Sequence, residues 1–272
     1  MPITGPETLH PLYAAVLSLL QDTAQAVVMP RFQSLAAHEI AEKSPGEIVT
    51  VADREAEEML SEGLLAILPE ARIVGEESAE ENPGLLEGLD KGMVWIVDPI
   101  DGTSNFSEGK APFALMIALL ADGETEAGWM FDPVTGRICH AHRRHGAFVE
   151  GDRIVSQATR SERPKTALGM QFMDEARRTE FAGRAEGKLD LVAIPRCAGE
   201  QYPRLVLGQH DIALFERILP WDHAPGALFV EEAGGKTARP DGSAYRPAER
   251  RPGLLSAATP QLWDQAAEIL FD

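Results

Sequence analysis

Apolar side chains recur with helical spacing near the start of the chain. Between residues 9 and 29 they return every three or four positions, which predicts an amphipathic helix that ends or kinks at Pro30. The polar stretch 38–48 that follows is typical of a loop. A second helix is predicted from about Asp53 to Leu68, because Thr50 and Asp53 have the spacing of a capping box at its start.

Beyond the second helix, short apolar runs replace the helical spacing. Turn-forming residues separate the runs, which is typical of strands joined by tight turns. The predicted strands cover residues 93–97, 113–120, 126–131, 137–142 and 146–150. They predict an antiparallel meander that follows the two helices.

From about Ser156 onward, segments with strand and helix patterns alternate. Strands are predicted at 166–170, 189–194, 212–215 and 253–257, and helices at 174–186, 201–207, 223–233 and 260–270. Alternation of this kind indicates α/β packing. No flexible linker separates the two halves of the chain, so we expect two lobes that share an interface.

Composition and charge narrow the classes of function. The 272 residues include 43 acidic and 25 basic side chains, and the net charge of −18 argues against nucleic acid or an anionic membrane as a partner. The most apolar stretch, 111–121, is too short to span a bilayer. The first residues have no basic leader pattern, and Cys139 and Cys197 are too few for a disulfide framework. We expect a cytoplasmic protein.

The segment 95–106 carries the most informative chemistry. A buried strand is predicted to lead into Asp98, and a turn can bring Asp101 to the same point. Gly102 lets the backbone approach a ligand, and Thr103 can open a short helix whose free N–H groups bind an anion. Two carboxylates beside such a turn are what a Mg²⁺–phosphate site needs. A plain acidic turn is the alternative explanation.

Three further carboxylate blocks bear on the same question. Asp53 stands at the start of the second predicted helix, Glu76 and Glu77 follow a short apolar pair, and Asp222 follows Trp221 late in the chain. Taken singly, each has a simpler explanation, as an N-cap for Asp53 and Asp222 or a solvated charge run for the glutamates. Their presence together with the 95–106 segment favours chemistry.

The chain resembles the inositol monophosphatase family of lithium-sensitive, magnesium-dependent phosphatases. The resemblance covers essentially the whole length and depends on four ordered blocks: Val49–Asp53, Gly75–Ser78, Trp95–Phe106 and Pro220–Gly226. The Asp-Pro-Ile-Asp-Gly-Thr sequence inside the third block is highly specific. The resemblance implies an α/β fold built as a layered αβαβα sandwich: a single domain over residues 1–272 with an α+β lobe over 1–150 and an α/β lobe over 151–272. It also implies hydrolysis of a small phosphate monoester by a metal-activated water, two or three Mg²⁺ ions, and a homodimer.

The resemblance also implies roles for individual residues. The implied metal ligands are Glu76, Asp98, the carbonyl oxygen of Ile100, Asp101 and Asp222. The implied catalytic residues are Asp53, Thr103 and Glu76, the first two acting as a pair that helps to activate the attacking water. The implied phosphate-binding residues are Gly102, Thr103 and Ser104. Lys43 falls in the loop where the family often has a lysine near the site.

The pocket for the leaving group is where the chain departs from the family. After Gly199 the family usually has small residues, whereas this chain has Glu200–Tyr202, which would line or narrow the pocket. A sugar-binding acid usually lies seven residues before the late Asp, where this chain has Phe215, and Glu216 follows it. Either one residue is deleted and Glu216 keeps the role, or the role is lost. The expected pocket residues are Gly199, Glu200 and Glu216.

The substrate therefore stays open at the level of the sequence. The leading hypothesis is a phosphatase for a polyol or sugar-like monophosphate. One alternative is a histidinol-phosphate or nucleotide-derived phosphatase, and another is a regulatory member of the family that binds proteins. The joint presence of Glu76, Asp98, Asp101, Thr103 and Asp222 favours an active enzyme, because a pure binding module has no need of the whole set.

A cysteine- and histidine-rich stretch invites a separate zinc hypothesis. Cys139, His140, His142 and His145 lie close together in the sequence, but their spacing does not match a known structural zinc site. His140 and His142 would share one face of a strand. We expect a polar strand edge that runs into a turn.

Overall fold

The computed structural model describes residues 9–44 and 47–271. Its α-helices are α1 (Tyr13–Thr23), α2 (Val51–Ile67), α3 (Glu76–Glu81), α4 (Thr103–Ser107), α5 (Glu175–Ala185), α6 (Ala198–Val206), α7 (Pro220–Glu232) and α8 (Pro260–Phe271). Helix α1 continues as a π-helix over Ala24–Val28, and 3₁₀ turns cover Ala37–Glu39 and Pro83–Leu86. Among these described helices, none combines the length and apolar character that crossing a membrane requires.

The strands fall into one hairpin and two sheets. They are β1 (Ile40–Ser44), β2 (Glu47–Thr50), β3 (Arg72–Gly75), β4 (Met93–Asp101), β5 (Ala114–Ala121), β6 (Glu124–Phe131), β7 (Ile138–His142), β8 (Gly146–Val149), β9 (Asp152–Ile154), β10 (Lys165–Leu168), β11 (Asp190–Leu191), β12 (Ile212–Phe215), β13 (Lys236–Ala238) and β14 (Leu254–Ala257). The predicted alternation in the second half is confirmed, although the strand expected over 189–194 contracts to two residues.

The hairpin corrects the prediction of a loop over residues 38–48. Strands β1 and β2 pair antiparallel, with Ile40 opposite Thr50. Their side chains are mostly half-buried or exposed, so the sequence has no apolar alternation to mark them as strands. Strand β3 and helix α3 were also not predicted, because both are short and α3 is almost wholly acidic.

The seven-stranded sheet has the order β3-β4-β5-β6-β7-β8-β9. Strands β3 and β4 are parallel and the later pairs are antiparallel, which confirms the predicted meander. Strand β4 runs on to Asp101 rather than ending near Val97. Its pairing with β5 is irregular between Asp98 and Asp101, because Pro99 has no N–H to donate to the ladder.

The two sheets and the helices build five layers. Helices α1 and α2 cover one face of the seven-stranded sheet, with Leu20 and Leu60 packed near Trp95 and Trp129. Helices α6 and α7 fill the space between the two sheets. Helices α5 and α8 cover the outer face of the five-stranded sheet, whose order is β11-β10-β12-β14-β13. The αβαβα sandwich is therefore confirmed.

Helix α7 crosses the seven-stranded sheet at close range. A Cβ atom placed on Gly128 of β6 would lie 2.7 Å from the Cα atom of Pro225 in α7. A side chain at position 128 would therefore push the helix away from the sheet. This close approach brings the first turn of α7 to the end of β4, where Asp98 and Asp101 lie.

Candidate active site

A cleft of 760 Å³ opens beside the end of β4. The sequence-predicted residues that line it are Lys43, Glu76, Asp98, Ile100, Asp101, Gly102, Thr103, Ser104, Glu216 and Asp222. They come from five separate elements and the turns between them, so the fold, rather than local sequence, brings them together. Asp53, Gly199 and Glu200 were predicted for the same site, but they are not among the residues that line the cleft.

Strand register explains how the carboxylates converge. Gly75 at the end of β3 lies opposite Val97 of β4, so Glu76 follows next to Asp98. The irregularity after Asp98 turns Asp101 toward the same point. Asp222 arrives in the first turn of α7. One carboxylate oxygen from each of Asp98, Asp101 and Asp222 lies within 4.8 Å of the others.

The converging carboxylates are costly to ionise at these positions. Burial raises the pKa of Asp101 to about 6 and, with the charge of Asp101 as a second cause, that of Asp222 to about 7. Burial also raises the pKa values of Glu76 and Asp98 well above their ordinary range. Neighbouring carboxylates add to this rise, and the charge of Lys43 opposes it at Glu76. We call these four residues the metal wall, since only added positive charge would let all four ionise together.

The side chains of the metal wall have the chemistry that a binding site for a hard divalent cation requires. Oδ1 of Asp98 is buried and has no hydrogen-bond partner among the residues described, so a lone pair points into the site unused. The donors are carboxylate oxygens, which Mg²⁺ prefers. The carbonyl oxygen of Ile100, which also lines the cleft, accepts from the Thr103 hydroxyl at 2.9 Å.

Asp53 and Thr103 form a hydrogen-bonded pair at the edge of this wall. Asp53 is buried in the first turn of α2, where its Oδ2 accepts from the amide of Thr50 at 2.8 Å and from the Thr50 hydroxyl at 2.6 Å. Its Oδ1 lies 3.1 Å from Oγ1 of Thr103. Burial raises the pKa of Asp53 to about 6 despite these hydrogen bonds. The capping box predicted from sequence thus also holds a carboxylate against the cleft.

Gly102 and Gly199 shape the turn that follows β4. Gly102 has a φ of 87°, and a Cβ atom there would lie 3.2 Å from the carbonyl oxygen of Pro112. The amide of Gly199, at the start of α6, donates to Oδ2 of Asp101 at 2.6 Å. The structure therefore places Gly199 against a carboxylate of the metal wall.

Lys43 lies in β1 and reaches the acidic start of α3. Its Nζ lies 2.6 Å from Glu77, 2.7 Å from Glu80 and 3.4 Å from Glu76. Burial lowers the pKa of Lys43, but the three glutamates raise it by more, so the ammonium stays charged. The prediction of a lysine near the site is consistent with this position, although a strand rather than a loop carries it.

The cleft lining also includes residues outside the four carboxylates, and only some of them were predicted from the sequence. We call Phe172, Gln201, Glu216 and Arg217 the far wall, since all four line the cleft. Glu216 is 9% exposed, accepts from Arg177, and leaves Oε2 with no described partner. Phe172 and Arg217 were not predicted, because no motif marks either position; the Arg217 guanidinium lies 4.3 Å from the centroid of the Phe172 ring.

The remaining residues predicted for the pocket lie elsewhere. Glu200 pairs with Arg137 and with Arg204, the second at 2.7 Å, outside the described lining of the cleft. Tyr202 is buried, and its hydroxyl donates to Nδ1 of His223 at 2.8 Å, while Nε2 of His223 donates to the carbonyl of Arg217 at 3.0 Å. Burial lowers the pKa of His223 to about 3, so this ring is neutral and structural.

Comparison with known proteins agrees with this geometry. The sequence profile of the inositol monophosphatase family matches residues 8–270. The chain is 34% identical over 197 residues to the fructose-1,6-bisphosphatase/inositol-1-monophosphatase of Thermotoga maritima, covering 71% of this chain and 73% of that protein. It is 29% identical over 213 residues to the Nus factor SuhB of Escherichia coli, covering 77% and 78%.

The structure also resembles solved proteins of this fold. The extragenic suppressor protein suhB from Bartonella henselae superposes with a TM-score of 0.82 at 24% identity, over 97% of this chain and 99% of that chain. Because the family profile spans nearly the whole chain, membership of the family does not depend on any single relative. The chain belongs to the inositol monophosphatase family, a family of metal-dependent phosphoric monoester hydrolases.

Proposed function

We propose that the chain hydrolyses a small polyol or sugar-like phosphate monoester with the help of two or three Mg²⁺ ions. The proposed metal ligands are Glu76, Asp98, Asp101, Asp222 and the carbonyl oxygen of Ile100. The observation that supports this most is the convergence of three carboxylate oxygens within 4.8 Å in one cleft. Bound Mg²⁺ supplies neutralisation of the phosphoryl oxygens and a more acidic water.

The phosphoryl group is proposed to bind at the first residues of α4. The first amides of a helix have no acceptor within the helix, and Gly102 lets the backbone turn tightly into Thr103 and Ser104. Any side chain at position 102 would crowd the Pro112 carbonyl. The phosphoryl oxygens therefore receive N–H donors on one side and face the metal wall on the other.

The Asp53–Thr103 pair is the proposed route for the proton of the attacking water. Oγ1 of Thr103 accepts that proton while its own proton moves to Oδ1 of Asp53, 3.1 Å away. Asp53 stays oriented for this transfer because Thr50 holds its other oxygen. The raised pKa of Asp53 suits a group that takes up a proton near neutral pH.

Glu216 is the proposed contact for hydroxyl groups of the leaving group. Its Oε2 is buried and has no described partner, while its other oxygen is held by Arg177. An acceptor presented in this way favours a leaving group rich in O–H donors. The name of the Thermotoga maritima relative, which covers a sugar bisphosphate and an inositol phosphate, is consistent with a hydroxylated substrate.

The test is phosphate release from a panel of monophosphates with Mg²⁺. The panel contains inositol phosphates, glycerol 2-phosphate, sugar phosphates, histidinol phosphate and 3′-phosphoadenosine 5′-phosphate, and Asp101→Asn is the inactive control. We expect Mg²⁺-dependent release that is fastest for a hydroxylated leaving group and is lost in the variant. A preference for histidinol phosphate or the nucleotide would select those substrates instead.

A regulatory role is the second candidate, because the chain is similar to a protein named as a Nus factor. If the folded protein binds Mg²⁺ but releases phosphate from no compound in the panel, a role in binding another protein takes precedence. We further propose inhibition by Li⁺, a homodimer and a cytoplasmic location, which the family resemblance suggests. Sedimentation of the purified protein tests the dimer, and Li⁺ added to the phosphatase assay tests inhibition.

A further inference from the structure

A second group of metal-binding side chains lies apart from the cleft. His10, Glu126 and His142 each offer one ligand atom, and these atoms lie within 4.8 Å of one another. Nε2 of His142 is 3.6 Å from Oε1 of Glu126, and the rings of His10 and His142 meet edge to face with centroids 4.8 Å apart. We call these three residues the histidine site.

The fold explains why the sequence did not reveal this site. Glu126 lies on β6 and His142 at the end of the adjacent β7, where Ala127 is opposite His142. His10 comes from the segment before α1 and is placed there by packing against Trp129 and by its amide, which donates to Nε2 of His140 at 3.3 Å. In the sequence, the histidines of β7 are neighbours of one another, whereas His10 and Glu126 lie in other segments.

The histidine site and the metal wall lie at opposite ends of the seven-stranded sheet. Asp101 lies opposite Ala114, and the register then runs from Leu115 to Phe131 and on to Ile138. His142 is at the other end of the same strand as Ile138. The two groups of ligands therefore share no residue, and a metal at one does not occupy the other.

We propose that the histidine site binds one Zn²⁺ ion. Two imidazole nitrogens and one carboxylate oxygen suit zinc, which takes four ligands and leaves one position for water. Mg²⁺ prefers oxygen donors and does not compete well for such a set. His142 is 8% exposed while Glu126 and His10 are partly open to solvent, so an ion can enter from the surface.

One hydrogen bond opposes binding and limits its strength. The amide of Leu12 donates to Nδ1 of His10 at 3.2 Å. Zinc bound at Nδ1 would take the lone pair that this amide uses, and zinc bound at Nε2 would leave a proton on Nδ1 facing the amide. Either way the bond is given up, so we expect measurable but not extreme affinity, with a shift of the Leu12 amide resonance on binding.

Bound Zn²⁺ would link the segment before α1 to the edge of the sheet. His10 is far in sequence from Glu126 and His142, and the ion would hold all three together. A ligand that binds the folded chain and not the unfolded one raises the unfolding temperature. The expected signature is therefore a stabilisation by Zn²⁺ that does not require the metal wall.

The experiment is a calorimetric titration of the chelator-stripped protein with Zn²⁺ in excess Mg²⁺. Co²⁺ serves as an optical probe, because tetrahedral coordination with nitrogen ligands gives a visible absorption. We expect one site in the wild type, retained in Asp101→Asn and lost in His142→Asn. Glu126→Gln should weaken binding more than about tenfold, since removing even an outer-shell partner has effects of that size.

Controls separate this site from other zinc binding. His38→Asn changes an exposed histidine and should leave the titration unchanged. If His142→Asn does not fold, His10→Asn and Glu126→Gln decide, because both side chains are partly exposed. Equal Zn²⁺ binding in the wild type and in these two variants would overturn the proposal, as would loss of the site in Asp101→Asn. Phosphatase activity plays no part in either readout.

Discussion

The two walls of the cleft differ in how their charges are balanced. On the metal wall, Glu76, Asp98, Asp101 and Asp222 face one another, and the basic side chains near them are few. Lys43 is shared with Glu77 and Glu80, and the charge of Arg217 partly opposes the rise that burial causes in the pKa of Asp222. On the far wall the charges pair one to one, with Glu216 bound by Arg177 and Arg217 bound to Glu47.

This difference suits each wall to a different function: metal binding for one and contact with the leaving group for the other. Crowded carboxylates on the metal wall destabilise the metal-free protein, and bound cations would relieve that destabilisation. The metal wall is therefore suited to metal-dependent chemistry. A wall whose charges are already paired can offer single, directed contacts to an uncharged leaving group without binding ions. Substitutions on the two walls should therefore have opposite effects on stability and different effects on catalysis.

The largest effect is expected for Asp98→Asn. Losing a charge from the metal wall removes several kcal/mol of transition-state stabilisation, so kcat should fall about 10³-fold or more. In chelator at pH 7 the same variant should be more stable than the wild type by about 1 kcal/mol or more, because the raised pKa of Asp98 means that the folded wild type binds a proton that the unfolded chain does not hold. Phosphate release and urea unfolding measure the two effects.

Asp90→Asn is the matched control for that substitution. Asp90 is exposed, so its loss should change neither activity nor the stability of the metal-free protein. An Asp98→Asn variant that is less stable in chelator than the wild type would contradict the view that the metal wall carries excess charge. Unchanged activity in Asp98→Asn would show that Asp98 takes no part in the reaction.

A smaller effect is expected for the proton route beside the metal wall. Thr103→Val keeps the shape of the side chain and removes the hydroxyl, so kcat should fall about 100-fold if the Asp53–Thr103 pair takes up the proton. Thr103→Ser keeps the hydroxyl and should retain most of the activity. A fall in both variants alike would indicate that position 103 matters for packing rather than for proton transfer.

The metal wall could largely be anticipated from the sequence, and the far wall could not. Three of the four blocks place the proposed ligands next to rigid elements: Glu76 after β3, Asp98 and Asp101 at the end of β4, and Asp222 in the first turn of α7. Local sequence and strand register together fix such positions. The family resemblance carried by these blocks is therefore what nominates the four carboxylates as ligands.

Far-wall residues depend on contacts between distant segments. Phe172 follows β10 in a stretch without regular structure, and its place in the cleft depends on Arg217, which comes from the loop after β12. Glu200 follows Gly199 in a suggestive sequence, yet its carboxylate pairs with Arg137 and Arg204. Nothing in the spacing of these residues indicates which way the side chains face.

Glu216→Gln tests the far wall directly. The amide keeps the size of the side chain but weakens acceptance of hydroxyl donors, so kcat/KM for hydroxylated substrates should fall about tenfold. Release from p-nitrophenyl phosphate, whose leaving group has no hydroxyl donors to contact, should change little. The variant should also be less stable than the wild type, since Arg177 loses a charged partner, in contrast to Asp98→Asn.

Glu200→Gln is the comparison for that variant. Glu200 is paired with Arg137 and Arg204 outside the described lining, so the substitution should leave substrate preference unchanged. A loss of selectivity in Glu200→Gln as large as in Glu216→Gln would restore the pocket role that the sequence suggested for Glu200. Kinetics on paired substrates distinguish these outcomes.

The smallest effect is expected for Phe172→Leu. Phe172 is 49% exposed at the cleft, and its ring supports the guanidinium of Arg217, which also pairs with Glu47 from the β1–β2 hairpin. Leucine keeps apolar contact but removes the attraction of the cation for the ring, about 0.5–1 kcal/mol at an exposed position. KM should therefore rise about two- to fivefold while kcat is kept, because Arg217 is held less firmly beside Glu216 and the metal wall is untouched. Stopped-time phosphate assays over a range of substrate concentrations separate the two constants. A fall in kcat with KM unchanged would mean that the far wall takes part in the chemical step, and the division of labour between the two walls would be wrong.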